Sequence, residues 1–120
     1  MEKGTRYTMT HVVTDNETAH MIGSGGLPVY ATPSMICHME LASYKLAEQF
    51  GHQTVGTKVE ISHLKAVKPG TEVTVDAEVI EFEGRRILYA VKVSDDKGTL
   101  GEGKHERFII DPERFMAKLG

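Results

Sequence analysis

One change of period divides this chain and limits what it can fold into. Between Pro33 and about Phe50 the side chains Ile36, Met39, Ser43, Ala47 and Phe50 recur at three- and four-residue steps, and Gly51 supplies a stop. From Val55 onward the spacing becomes two. Val55, Thr57, Val59, Ile61 and His63 share one predicted face, with Lys58, Glu60 and Ser62 on the other. Only one long helix is on offer, about 18 residues or roughly 27 Å, and the chain after it reads mainly as strand.

The remaining strands follow from turn chemistry. Thr5 to Val13 is rich in β-branched and aromatic residues and ends at Asp15-Asn16, and a short polar, partly helical piece follows over 16–21. Gly23 to Pro28 is too glycine-rich for regular structure and is expected to be a mobile loop beside the site. After a Lys68-Pro69-Gly70 turn come Val73, Val75, Ala77 and Val79, then a Glu83-Gly84 turn, then Ile87, Tyr89, Val91 and Val93. Asp95 to Gly98 reverses the chain into Leu100 to Ile110, where Gly101 and Gly103 suggest a bulge or a close backbone approach. Asp111-Pro112 opens a short final helix. One strand, one long helix and four strands in short-turn order give an α+β class in which an antiparallel sheet wraps one central helix, the hotdog arrangement. Residues 1–120 read as a single domain of that kind. Cys37 and Leu41 lie off the main helical arc, which points to a partner subunit and a homodimer, with higher assembly open.

Composition excludes several classes of partner. A net charge of -3 without a basic block argues against nucleic acid, and no run of about 18 apolar residues argues against a membrane span. The single cysteine and the polar start favour a cytoplasmic setting.

Three positions carry candidate chemistry. Glu40 falls about 40° from Ile36 on the helical wheel, among apolar neighbours, where a carboxylate needs a donor or an exit to solvent. His63 ends the inward face of its strand, so an imidazole and the Glu40 carboxylate could meet as base and orienter; a core or strand-end histidine is the plain alternative. Thr32-Pro33 suits a helix N-cap and first turn, and the Thr32 hydroxyl, or Ser34 in its place, could face a substrate carbonyl at the positive helix end. If Thr32 and Glu40 lie on one continuous helix, about 12 Å separates their backbones. Arg85-Arg86, Lys65 and Lys68 could attract phosphates. His11, His20, His38, His52 and His105 show no metal-ligand spacing, so no metal is expected.

The segments VYATPSMICHMELAS, GTKVEISHLKAVKPGTEVTVDAEV, EGRR and GEGKHERFII resemble the fluoroacetyl-CoA thioesterase-like group of hotdog proteins across roughly Thr5 to Phe115. The resemblance implies hydrolysis of a short acyl-CoA thioester, with coenzyme A entering as part of the substrate and no separate cofactor. It implies a catalytic set matching Thr32, Glu40 and His63, a backbone N–H donor matching Gly56 and a substrate-side arginine matching Arg107. An aromatic lid of the fluoroacetate-selective type is replaced by Gly25, Gly26 and Leu27, and Pro33 stands where a glycine is usual. A non-catalytic acyl-CoA binding or sensing module would use the same fold.

Overall fold

The computed structural model describes all of residues 1–120. Strand β1 (Arg6–Val12) leads through a 3₁₀ turn (Asp15–Glu17) and a one-turn helix α1 (Ala19–Ile22) to the long helix α2 (Thr32–Glu48). Four strands follow, β2 (Gln53–His63), β3 (Glu72–Glu83), β4 (Arg86–Asp95) and β5 (Gly98–Ile110), and a last short helix α3 (Pro112–Ala117). All pairings are antiparallel, in the sheet order β1-β3-β4-β5-β2, so β2 is an edge strand with one neighbour. No helix is long and apolar enough to cross a membrane.

The strand periodicity of the second half is borne out where both partners are present. Val73, Val75, Ala77 and Val79 of β3 and Ile87, Tyr89, Val91 and Val93 of β4 are all buried against α2. From α2 the buried set is Met35, Met39, Ala42, Ser43, Leu46 and Ala47, with His38 beside them. Full burial of such Met or Leu side chains is worth about 1.5–3 kcal/mol each, so this strip holds helix to sheet. Ile36 is only half-buried and Phe50 lies beyond the helix, 45% exposed. The inward arc is therefore centred on Met35–Met39–Leu46, about one residue round from the face predicted, and this turns Glu40 toward the flank.

The predicted face of β2 is corrected more sharply. Gly56 pairs with Arg107 and Lys58 with Glu106, leaving Thr57 as an extra residue in a β-bulge. Thr54 and Gly56 face inward before the bulge, and Val59, Ile61 and His63 after it, opposite His105, Gly103 and Gly101. Thr57 turns outward, its hydroxyl donating to the Glu106 carboxylate at 2.7 Å. A single inserted residue thus switches the alternation by one, and Val55 and Thr57 leave the face they were expected to share with His63.

Both expectations for the glycines of β5 hold. A Cβ on Gly103 would overlap the Glu60 backbone, and one on Gly101 the Met35 side chain and the Ser62 carbonyl. A register shift between Val93 and Ser94 adds a bulge at Leu100. The Gly23–Pro28 segment is irregular and closed at its base by a bridge between Thr18 and Tyr30.

Candidate active site

Two groups of polar side chains lie along α2. The first sits at its N-terminus. Tyr30 N–H bonds to the Val67 carbonyl and Ala31 N–H to the Glu17 carbonyl, which fixes the approach of the chain to the helix. Ala31, with extended backbone, is the cap residue, so Thr32 is the first helical residue and not the N-cap expected of it. No side chain caps this end, and Pro33 has no N–H, so the N–H groups of Thr32 and Ser34 have no capping acceptor. Freed from capping, Thr32 Oγ1 lies 2.6 Å from Nδ1 of His63. The end of β2 is held by two bonds, Leu64 N–H and Lys65 N–H both donating to the Leu100 carbonyl, so the imidazole is aimed by backbone geometry. Nε2 of His63 is shielded and has no hydrogen-bond partner, leaving Nδ1 as its working nitrogen. A pocket of about 370 Å³ opens on this pair, lined among others by Tyr30, Ala31, Thr32, Pro33, His63 and Lys65.

The second group surrounds Glu40, two turns further along α2. Its carboxylate is 42% exposed, with Oε2 3.8 Å from Arg107 Nη1 and 4.0 Å from His105 Nε2. Arg107 is buried and each of its nitrogens makes one bond: Nε to Thr54 Oγ1 at 2.8 Å, Nη2 to the Thr54 carbonyl at 3.1 Å, and Nη1 to His105 Nε2 at 3.1 Å. His105 Nδ1–H donates to the Lys58 carbonyl at 2.8 Å, which leaves Nε2 as the acceptor for Arg107. Burial pushes the His105 imidazole below its ordinary value, and the nearby guanidinium acts the same way against the opposing Lys58 bond; the ring is neutral. Burial also lowers the Arg107 guanidinium, against the pull of Tyr89 and Glu40. Tyr89, packed beside His105 at 6.2 Å between centroids, is pushed up to about 12 by burial.

Gly56 belongs to this second group. A Cβ there would stand 3.0 Å from Glu40 Oε2, 3.1 Å from His105 Cε1 and 3.2 Å from Arg107 Nη1. The absence of a side chain lets all three approach the strand at the bulge.

Within one chain the structure therefore joins Thr32 to His63 and Glu40 to His105, Arg107 and Gly56, and not Glu40 to His63 as expected. The cause is the helix itself, which separates Thr32 from Glu40 by about 12 Å of axial rise. Ser34 lies in the first turn but does not line the pocket. Arg86 is tied to Glu81 and Glu106, and Lys65 to Asp95, so neither is a free phosphate ligand. His105 and Thr54 were missed as site residues. The signal was present for His105: Gly101, Gly103, His105 and Arg107 alternate on one face of β5, where two polar groups beside two glycines mark an inward polar patch.

This architecture has close counterparts. The family model described as fluoroacetyl-CoA-specific thioesterase matches residues 13–113. The chain belongs to that family. The fluoroacetyl-CoA thioesterase of Streptantibioticus cattleyicolor is 34% identical to this family member over 99% of the chain and 92% of its own length. A solved structure of fluoroacetyl-CoA thioesterase superposes with a TM-score of 0.92 at 34% identity, covering 99% of this chain and 95% of that one. A thioesterase superfamily member from Thermus thermophilus gives a TM-score of 0.89 at 32% identity, with 98% and 90% covered. The sheet and helix are thus those of the hotdog thioesterases, and the chain is a thioesterase-family enzyme.

Proposed function

We propose that this protein hydrolyses a short-chain acyl-CoA thioester to the free acid and coenzyme A. The observation that carries the reading is the 2.6 Å contact between Thr32 Oγ1 and His63 Nδ1 at an uncapped helix start that opens on a pocket. His63 takes a proton through Nδ1, either from the Thr32 hydroxyl or from a water that Thr32 holds, and the freed oxygen attacks the thioester carbon. The helix dipole and the first-turn N–H groups favour the oxyanion. Collapse expels the coenzyme A thiolate, which takes the proton from His63; an acyl-threonine, if formed, is released by water through the same base. A related solved structure binds acetyl-CoA, which supports a small acyl group here. Leu27, in place of an aromatic lid, is 67% exposed and does not line the pocket, which favours a short acyl group other than fluoroacetyl.

Glu40 is the third member, acting from a second subunit of a homodimer. Three features support this arrangement: the axial distance along α2, the free edge of β2, and Val59, which faces inward yet is 42% exposed. In the dimer Glu40, with Gly56 and Arg107 behind it, meets the substrate from the side opposite Thr32 and His63, in a cytoplasmic setting.

Thiol release measured over a panel of acyl-CoAs tests the reading. Turnover by the wild type and loss in Thr32→Ala, His63→Ala and Glu40→Gln are expected; acyl-CoA binding without thiol release would make the protein a binding module. Mixing His63→Ala with Glu40→Gln protomers distinguishes the subunit arrangement. Recovery of activity on mixing supports a shared site, and none indicates that each chain acts alone.

A further inference from the structure

A third polar cluster lies outside the candidate active site. His11 on β1, Glu17 in the 3₁₀ turn and His38 on α2 come from separate elements, six and 21 residues apart, with no contiguous motif to announce them. One ligand-type atom from each lies within 4.8 Å of the others. Glu17 Oε1 is 2.7 Å from His11 Nε2, and Glu17 Oε2 is 3.2 Å from His38 Nε2. The two imidazole rings stand 4.1 Å apart between centroids.

We infer that His11, Glu17 and His38 form a binding site for one zinc-class divalent cation. Two imidazoles and one carboxylate are the donor set that borderline metals such as zinc prefer, and three protein ligands leave a fourth position for water. Metal–ligand lengths near 2.0–2.1 Å in a tetrahedron require ligand atoms about 3.3 Å apart. The 3.2 Å between Glu17 Oε2 and His38 Nε2 already fits, and His11, whose ligand atom lies within 4.8 Å of the others, needs to move by about 1.5 Å or less.

The surroundings are those of ligands held in place. His38 is 9% exposed, and its other nitrogen, Nδ1, lies 2.5 Å from the hydroxyl of buried Tyr30. In the metal-binding tautomer Nδ1–H donates to that hydroxyl and Nε2 offers its lone pair, the outer-sphere arrangement that orients ligand histidines. Glu17 is oriented likewise, with Thr14 N–H donating to Oε1 at 2.8 Å. A cation there would tie β1, the 3₁₀ turn and α2 together next to Tyr30, one residue before the cap of the helix that carries Thr32. The site is thus structural in role, and its ligands are not those of the proposed hydrolysis.

Calorimetric titration of metal-stripped, full-length protein with zinc chloride tests it. The expected result is one zinc per chain, an X-ray absorption signature of nitrogen and oxygen ligands, and loss of measurable binding in His11→Ala and His38→Ala. Tyr30→Phe should weaken binding on the order of 10-fold or more. His20→Ala, at an exposed histidine outside the cluster, should bind as the wild type does. Absence of zinc binding by the wild type up to millimolar metal, or equal affinity in wild type and His38→Ala, overturns the inference. If His38→Ala does not fold, Glu17→Gln decides: it keeps hydrogen-bonding atoms but lacks the charge, and unchanged affinity in that folded variant overturns the inference equally.

Discussion

The two ends of the candidate site are built on opposite plans. At the start of α2, Thr32 and His63 make one short contact, with a shielded but unpartnered ring nitrogen and an open pocket. Around Glu40, the bonds among His105, Arg107, Thr54 and the Lys58 carbonyl engage every nitrogen of the Arg107 guanidinium and both of the His105 ring, holding the groups that face Glu40 in place. Loosely connected groups can exchange protons and partners during a reaction, whereas a wired set holds a charge in a fixed place. Under the proposed hydrolysis, bond making falls to the first end and electrostatic placement to the second.

The largest effect should come from the reactive end. His63→Ala is expected to lower kcat by about 10²–10⁴-fold with little change in thermal stability, the range for loss of a general base; a decrease seen only in KM would move His63 into binding and break the contrast. Glu40→Gln should cost about 10²-fold in kcat, because the amide keeps shape but not charge. Gly56→Ala sharpens the comparison, since it leaves every functional group in place and only crowds Glu40, His105 and Arg107. A misplacement of that kind should reduce kcat by about 10-fold or more, read alongside an unchanged far-UV spectrum.

The smallest expected effect is on stability and belongs to the wired end. His105 titrates below its ordinary 6.5 because it is buried, so below that pH the unfolded chain takes up a proton that the folded protein refuses. Stability is then full above about 6.5 and falls as the pH drops toward the folded value. His38, lowered mainly by burial, acts in the same direction. His105→Gln should lose about 1–3 kcal/mol at neutral pH from the broken buried contacts and show a shallower loss of Tm between about pH 7 and pH 5.5. An unaltered slope would mean that His105 does not control the acid response.

Legibility in the sequence followed coverage. β3 and β4 have neighbours on both sides and a helix on one face, so their alternation is unbroken from Val73 to Val79 and from Ile87 to Val93. β2 has one neighbour and a bulge, and composition alone does not show which of its residues is supernumerary. The helix was legible in length and ending, but its inward direction was not, since Ile36 and Met35 are equally apolar and only the position of the sheet separates them. For the site, Thr32, Glu40 and His63 were each named from the sequence. Their pairing was not, because it depends on which residues fall two helical turns apart and on where the strand resumes its alternation.

The Thr57 bulge gives that last point a practical form. Removing Thr57 would keep every pair from Gly56–Arg107 to His63–Gly101 and leave Val59, Ile61 and His63 facing the helix, whereas drawing Thr57 into the ladder opposite Glu106 would turn those three side chains away from it. The direction of the histidine proposed as the base thus depends on one residue staying out of the ladder as much as on its own identity.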